Sequence, residues 1–144
     1  MLSKSCVYAI RSLVFIAQNA TVDSKIGIKA VAEELELPTP YLGKILQQLT
    51  RNKIIQGVKG PKGGFFLSEE CKTTKIIRVI EVMDGLDFFT TCGLGLKNCS
   101  DEYPCPMHNE LKVYKEGLWE LYNSRSIADL VTSVDDGDSY IINP

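Results

Sequence analysis

Residues 38–68 read PTPYLGKILQQLTRNKIIQGVKGPKGGFFLS, and the order of signals in this stretch decides the fold. Thr39 suits an N-cap, because its hydroxyl can accept from a first-turn amide, and Pro40 suits the first helical position, where its missing N–H costs nothing. Leu42, Ile45, Leu46 and Leu49 follow at helical spacing and predict a helix to Arg51 with one buried stripe. Pro40, Gly43, Lys44, Gln47 and Arg51 then fall on the opposite face, flanked by Tyr41 and Gln48. IIQGV, KGPKGG and FFLS come next: two apolar runs around a loop whose glycines and proline satisfy turn geometry, a β-hairpin signal.

Upstream, IGIKAVAEEL predicts an extended entry and a helix through Leu35, separated from the 39–51 helix by the turn LELPTP. Helix, tight turn, helix and hairpin in succession make a winged helix-turn-helix. At the start of the chain Leu2, Cys6, Ile10, Leu13 and Ala17 lie on one face of an amphipathic helix ending at Asn19. Downstream, TTKIIRVIEVMDG predicts a helix entered from Thr73 or Thr74 and stopped by Gly85. A glycine-dotted segment, TTCGLGLKNCSDEYPCPMH (90–108), then holds three of the five cysteines and the only histidine. From Pro106 to Arg125 a helix about 30 Å long carries Leu111, Tyr114, Leu118, Leu121 and Tyr122 on one stripe, which calls for a partner. A short helix at IADLV and an acidic, mobile end complete the chain. The expected fold is mainly α with a small β-hairpin wing: a winged DNA-binding unit at 1–70, a linker helix, cysteine loop and dimerisation helix at 71–131, and a tail at 132–144.

With 144 residues, 44% hydrophobic and 24% charged, the chain fits one well-buried core and not a disordered polymer. No apolar run approaches the ~18 residues of a membrane span, so a cytoplasmic protein without membrane attachment is expected. The net charge of -2 conceals an uneven distribution. Residues 37–68 contain Lys44, Arg51, Lys53, Lys59 and Lys62 and no acid, whereas the last sixteen residues carry only Asp129, Asp135, Asp136 and Asp138. The basic stretch coincides with the helix and wing, so Lys44, Gln47 and Arg51 are placed to meet base edges and phosphates of duplex DNA, and Lys59 and Lys62 to follow the backbone. The plainer alternative is a solvated basic face, but glutamines both donate and accept at a base edge where a solubilising face favours Glu.

YAIRSLVFIA, PYLGKILQQLTRNKIIQGVKGPKGGFFLS and a three-cysteine loop before a long helix together resemble the Rrf2 family of bacterial winged-helix repressors, over residues 1–131. The resemblance implies a transcriptional regulator without enzymatic activity or small-molecule substrate, acting as a homodimer whose long helices pair over a near-palindromic operator. By resemblance the 39–51 helix, with Thr39, Pro40, Tyr41, Lys44, Gln47, Gln48 and Arg51, enters the major groove. Lys59, Gly60, Pro61 and Lys62 form the wing. Gly43 and Lys62 depart from residues common in the family, so the operator sequence does not transfer.

Cys92, Cys99 and Cys105 are spaced Cys-x6-Cys-x5-Cys, which matches neither zinc ribbons nor ferredoxins, and spacing alone leaves metal, redox and packing roles open. The resemblance implies that all three hold an iron-sulfur cluster, 2Fe-2S or 4Fe-4S, with His108 as fourth ligand; Cys6 on the first helix is the rival. A cluster-free repressor controlled by its thiols or by a partner is the alternative. A cysteine-dependent redox enzyme fares worse, because there is no Cys-x2-Cys pair and His108 lacks an evident acidic orienter. Cys71 reads as a bystander, Phe88 and Phe89 as packing under the loop, and Trp119 as an interface or core anchor.

Overall fold

The computed structural model describes all of residues 1–144. Helix α1 (Lys4–Asn19) is capped by Ser3, whose hydroxyl accepts from the Cys6 amide. Of the face expected from spacing it buries Cys6, Leu13 and Ala17, with Leu2 and Ile10 half-buried; Ala9 and the run from Ser12 to Ile16 are buried as well, so its second half is enclosed on all sides and not along one stripe. Helix α2 (Ile28–Leu35) ends at Glu36, which adopts the left-handed conformation (φ 55°) and turns the chain within a few residues into α3 (Thr39–Arg51). Leu42, Ile45, Leu46 and Leu49 are the buried residues of α3, as the stripe predicted. The cap differs from expectation: Pro38 occupies the N-cap, Thr39 is already helical, and no side chain caps this end. The residue preceding a proline is biased away from helix, and both Pro38 and Pro40 sit at this entry; the helix nevertheless begins on Thr39.

The wing is a two-stranded antiparallel hairpin, β1 (Gln56–Val58) and β2 (Gly64–Phe66), with Gly57 opposite Phe65. Ile26 adds a bridge to Phe65 through two backbone bonds of 3.0 and 2.7 Å, so the extended entry to α2 joins the sheet. A β-carbon on Gly63 would stand 2.1 Å from the Val58 carbonyl oxygen, so the turn of the wing closes only on glycine.

A short helix, α4 (Glu69–Lys72), follows under a Ser68 cap that the sequence reading missed. Helix α5 (Ile76–Asp84) starts from Lys75 and not from Thr73 or Thr74, and stops at Gly85. The displaced start has a partner: Lys75 pairs with Ser126 in an isolated antiparallel bridge, with Ile76 N–H on the Arg125 carbonyl and Ile127 N–H on the Thr74 carbonyl. After α6 (Asp87–Thr90) and the cysteine loop, α7 (His108–Ser124) runs as the long helix, and α8 (Ile127–Asp135) opens on a reciprocal capping box between Ser126 and Asp129.

The core gathers around α1, against which α2, α3, α5 and α8 all pack. Residues 132–144, expected as a mobile tail, begin inside α8, and part of the segment returns to the body. Ile142 packs against the core, and Arg11 Nε donates to the Ile141 carbonyl at 2.9 Å. No helix is long and apolar enough to cross a membrane.

Candidate metal centre and nucleic-acid interface

The outer face of α3 leaves Pro40, Lys44, Gln47 and Arg51 exposed, and Lys59, Gly60, Pro61 and Lys62 are exposed at the tip of the wing. None of Lys44, Arg51, Lys59 and Lys62 has an ion-pair partner within the chain. Their charge is therefore unneutralised within the chain, the condition for meeting a phosphate backbone. Two of the named residues are otherwise engaged, and a third is half-buried. Tyr41 is half-buried, its hydroxyl 2.9 Å from Ser5 Oγ and its ring edge-on to Tyr8. Gln48 Nε2 donates to the Val82 carbonyl at 2.7 Å, tying α3 to α5, and Thr39 is half-buried at the helix start.

The cysteine segment folds back on the start of α7. Gly93 lies so close to that helix that a β-carbon there would stand 2.5 Å from Leu111 Cδ1, and Lys115 reaches back to the Thr91 carbonyl. Phe89 meets Trp119 of α7 edge-on with ring centroids 5.3 Å apart, whereas Phe88, expected to pack beneath the loop with it, is 45% exposed. This folding back brings the sulfurs of Cys92, Cys99 and Cys105 within 4.8 Å of one another. His108, the first residue of α7, places Nδ1 3.1 Å from Cys99 Sγ. Its Nε2 stands 2.9 Å from Asp101 Oδ1, and Lys112 Nζ donates to both oxygens of Asp101, at 2.9 and 2.8 Å. Asp101 is thus the acidic partner of His108 that the sequence reading did not find. The signal was present: His108 and Lys112 are four apart on one helix face, and an acid lies between the second and third cysteines.

Backbone amides of Leu96 and Leu94 stabilise the Cys92 thiolate and lower its pKa to about 7. For Cys99 the Cys105 amide acts downward, but burial and the neighbouring Cys92 and Cys105 thiols outweigh it and push the thiol up. Lys112, and then His108, hold the Asp101 carboxyl below its usual range. A cleft of about 680 Å³ opens beside the sulfurs, with Phe89, Lys115, Glu116 and Trp119 in its wall.

Three thiols and one imidazole form a soft-to-borderline donor set suited to iron-sulfur clusters or zinc, so the residues present fit a metal group. The rival ligand does not reach it. Cys6 is 0% exposed within the core, and burial, followed by the Asp84 charge, pushes its thiol up to about 12. Cys71 is also buried, with Gln56 Nε2 3.0 Å from its sulfur at the base of the wing.

The helix-turn-helix, its hairpin wing and the long trailing helix define a winged-helix DNA-binding regulator. The family model described as an iron-dependent transcriptional regulator, Rrf2, matches residues 2–133, and the chain belongs to the Rrf2 family of transcriptional regulators. It is 28% identical over 126 residues to a putative HTH-type transcriptional regulator of Aquifex aeolicus, covering 86% of each chain. It is 23% identical over 128 residues to the HTH-type transcriptional regulator IscR of Yersinia pseudotuberculosis, covering 89% of this chain and 77% of that one. Among solved structures, CymR, the global cysteine regulator of B. subtilis, superposes with a TM-score of 0.73 at 18% identity, over 92% of this chain and 96% of that one. T. potens IscR gives the same TM-score at 21% identity, over 97% and 92%.

Proposed function

We propose that this chain is a homodimeric, sequence-specific repressor, not an enzyme, that works in the cytoplasm and reports redox, nitric oxide or iron-sulfur status through a cluster held by Cys92, Cys99, Cys105 and His108. The observation that carries the reading is the convergence of three sulfurs within 4.8 Å, joined by His108 Nδ1 at 3.1 Å from Cys99 Sγ. A bound cluster supplies iron whose oxidation or nitrosylation the protein can register. The chain supplies the rest. With the four donors engaged, the loop is tied to the first turn of α7; with them released, it is held by Gly93 against Leu111, Lys115 on the Thr91 carbonyl and Lys112 on Asp101. The far end of α7 is pinned to the start of α5, and α5 accepts from Gln48 of the reading helix, so one continuous set of contacts joins sensor to DNA face. Val113, Tyr114 and Leu121 are exposed on α7, an apolar surface that supports pairing with a second copy.

Protein purified without oxygen from cluster-competent cells is expected to be brown and to contain iron and inorganic sulfide; colourless, sulfide-free protein refutes the cluster. DNA binding is expected to weaken steeply with salt, the logarithmic slope falling by about 0.9 for each phosphate-contacting cation removed among Lys44, Arg51, Lys59 and Lys62.

One observation favours a second reading, a cluster-free thiol repressor. The three thiols are close neighbours, and Cys92 ionises near neutrality, the condition for a reactive cysteine. Oxidant-treated protein that forms a reversible disulfide among them, and never carries metal, selects this reading by mass spectrometry.

A further inference from the structure

The contacts of the only histidine contain more than a ligand role. His108 is 18% exposed at its side chain, and its two ring nitrogens face different partners: Nδ1 the sulfur of Cys99, Nε2 the carboxylate of Asp101. That carboxylate is itself held on both oxygens by Lys112, one helical turn along from His108. A carboxylate accepts and cannot donate, so Nε2 carries the proton in this arrangement, and in the neutral imidazole that ligation requires Nδ1 keeps its lone pair, directed at Cys99 Sγ. We propose that Asp101, braced by Lys112, is the positioning residue of the metal centre: it fixes the His108 ring and selects Nδ1 as the ligating atom.

This assignment rests on the reading of His108 as a ligand, and the test separates the two. Asp101 touches the imidazole ring and is not one of the grouped sulfur donors. Asp101 is exposed, with 71% of its side chain accessible, and turns away from the sulfurs toward α7. Its role is therefore to hold a neighbour and not to coordinate.

Because the chain has a single histidine, protein labelled with ¹⁵N at Nδ1 alone or at Nε2 alone reports one site each. The full-length protein is reconstituted with ferrous iron and sulfide, reduced by one electron and read by pulsed electron paramagnetic resonance. The expected result is strong coupling to Nδ1 and weak coupling to Nε2. In Asp101→Ala the Nδ1 coupling weakens or passes to Nε2, and iron is lost to a chelator at least ~tenfold faster. Asp101→Asn, whose amide oxygen still accepts from Nε2–H, restores the Nδ1 signal in part, and Lys112→Met falls between wild type and Asp101→Ala. Circular dichroism that matches wild type certifies that the variants are folded.

Strong Nε2 coupling in wild type overturns the assignment, as does an Nδ1 coupling unchanged in Asp101→Ala. Equal, complete loss of iron in Asp101→Ala and Asp101→Asn also overturns it, because that pattern marks the carboxylate as a ligand. Iron and sulfide without any strongly coupled histidine nitrogen refutes His108 ligation, and the positioning role falls with it. Wild type that takes up no iron refutes the cluster reading itself.

Discussion

In the winged part, α1 alone buries eight of its sixteen residues and α3 closes on it with Leu42, Leu46 and Leu49 at 0% exposure; in α7, seventeen residues long, none is buried. The first region is held by apolar area removed from water, which needs nothing but the chain. The second is held by aromatic edges, one tight glycine contact and a network of Asp101, His108 and Lys112, with apolar side chains still facing solvent. Under the proposed function, a scaffold of this kind keeps the DNA face in shape while the arm responds to whatever occupies its cysteine site.

The contrast breaks first, and most strongly, in the core. Leu46→Ala should lower the unfolding free energy by about 2–5 kcal/mol, measured by urea denaturation, because a fully enclosed side chain leaves a cavity. A loss below ~1 kcal/mol would mean that the winged part is not the rigid half. Ser126→Ala tests the joint between the halves, and removal of the α8 cap is expected to cost about 1 kcal/mol.

The same cap carries a pH signature. The Ser126 backbone amide, and then its hydroxyl, hold the Asp129 carboxyl below its ordinary 3.8. A carboxyl lowered on folding stabilises the folded state above the unfolded pKa, and the contribution disappears as pH falls through the lower folded value. Acid titration followed by circular dichroism should therefore show Asp129→Asn less stable than wild type at neutral pH and level with it at the acid end.

The smallest effect belongs to the arm. Cys92→Ala in metal-free protein should move the unfolding free energy by no more than about 0.5 kcal/mol, while abolishing iron uptake in the same preparation. Hydrogen exchange on dilute, metal-free protein should likewise find the α7 amides far less protected than those of α1, with the gap narrowing as protein concentration rises.

Periodicity made the winged part readable, since every buried position of α3 follows from helical spacing and the wing from its glycines. What escaped depended on partners distant in sequence. The start of α5 is set by Ser126, fifty-one residues on from Lys75, and local cap signals at Thr73 and Thr74 could not reveal it. The closing segment looked solvated because of its aspartates, yet Ile142 and the Ile141 carbonyl find α1 across the whole length of the chain. Residue types nominated Cys92, Cys99, Cys105 and His108, but only the fold puts Asp101 against the imidazole. Tyr41 and Gln48 show the converse limit: helical spacing placed them beside the reading face, and tertiary contacts with Ser5 and Val82 claimed their polar atoms.

The bridge between Lys75 and Ser126, together with Tyr122 packed against the core, anchors the C-terminal end of α7 and makes that end the fulcrum of a lever. Seventeen residues at 1.5 Å each give an arm of about 25 Å, so a tilt of ~10° at the fulcrum swings the histidine end by roughly 4 Å. Under the proposed function the leverage runs both ways: a displacement of several ångströms among the sulfurs would reach α5 geared down to a small rotation, fine enough to adjust how a helix seats in a groove without prising the core apart.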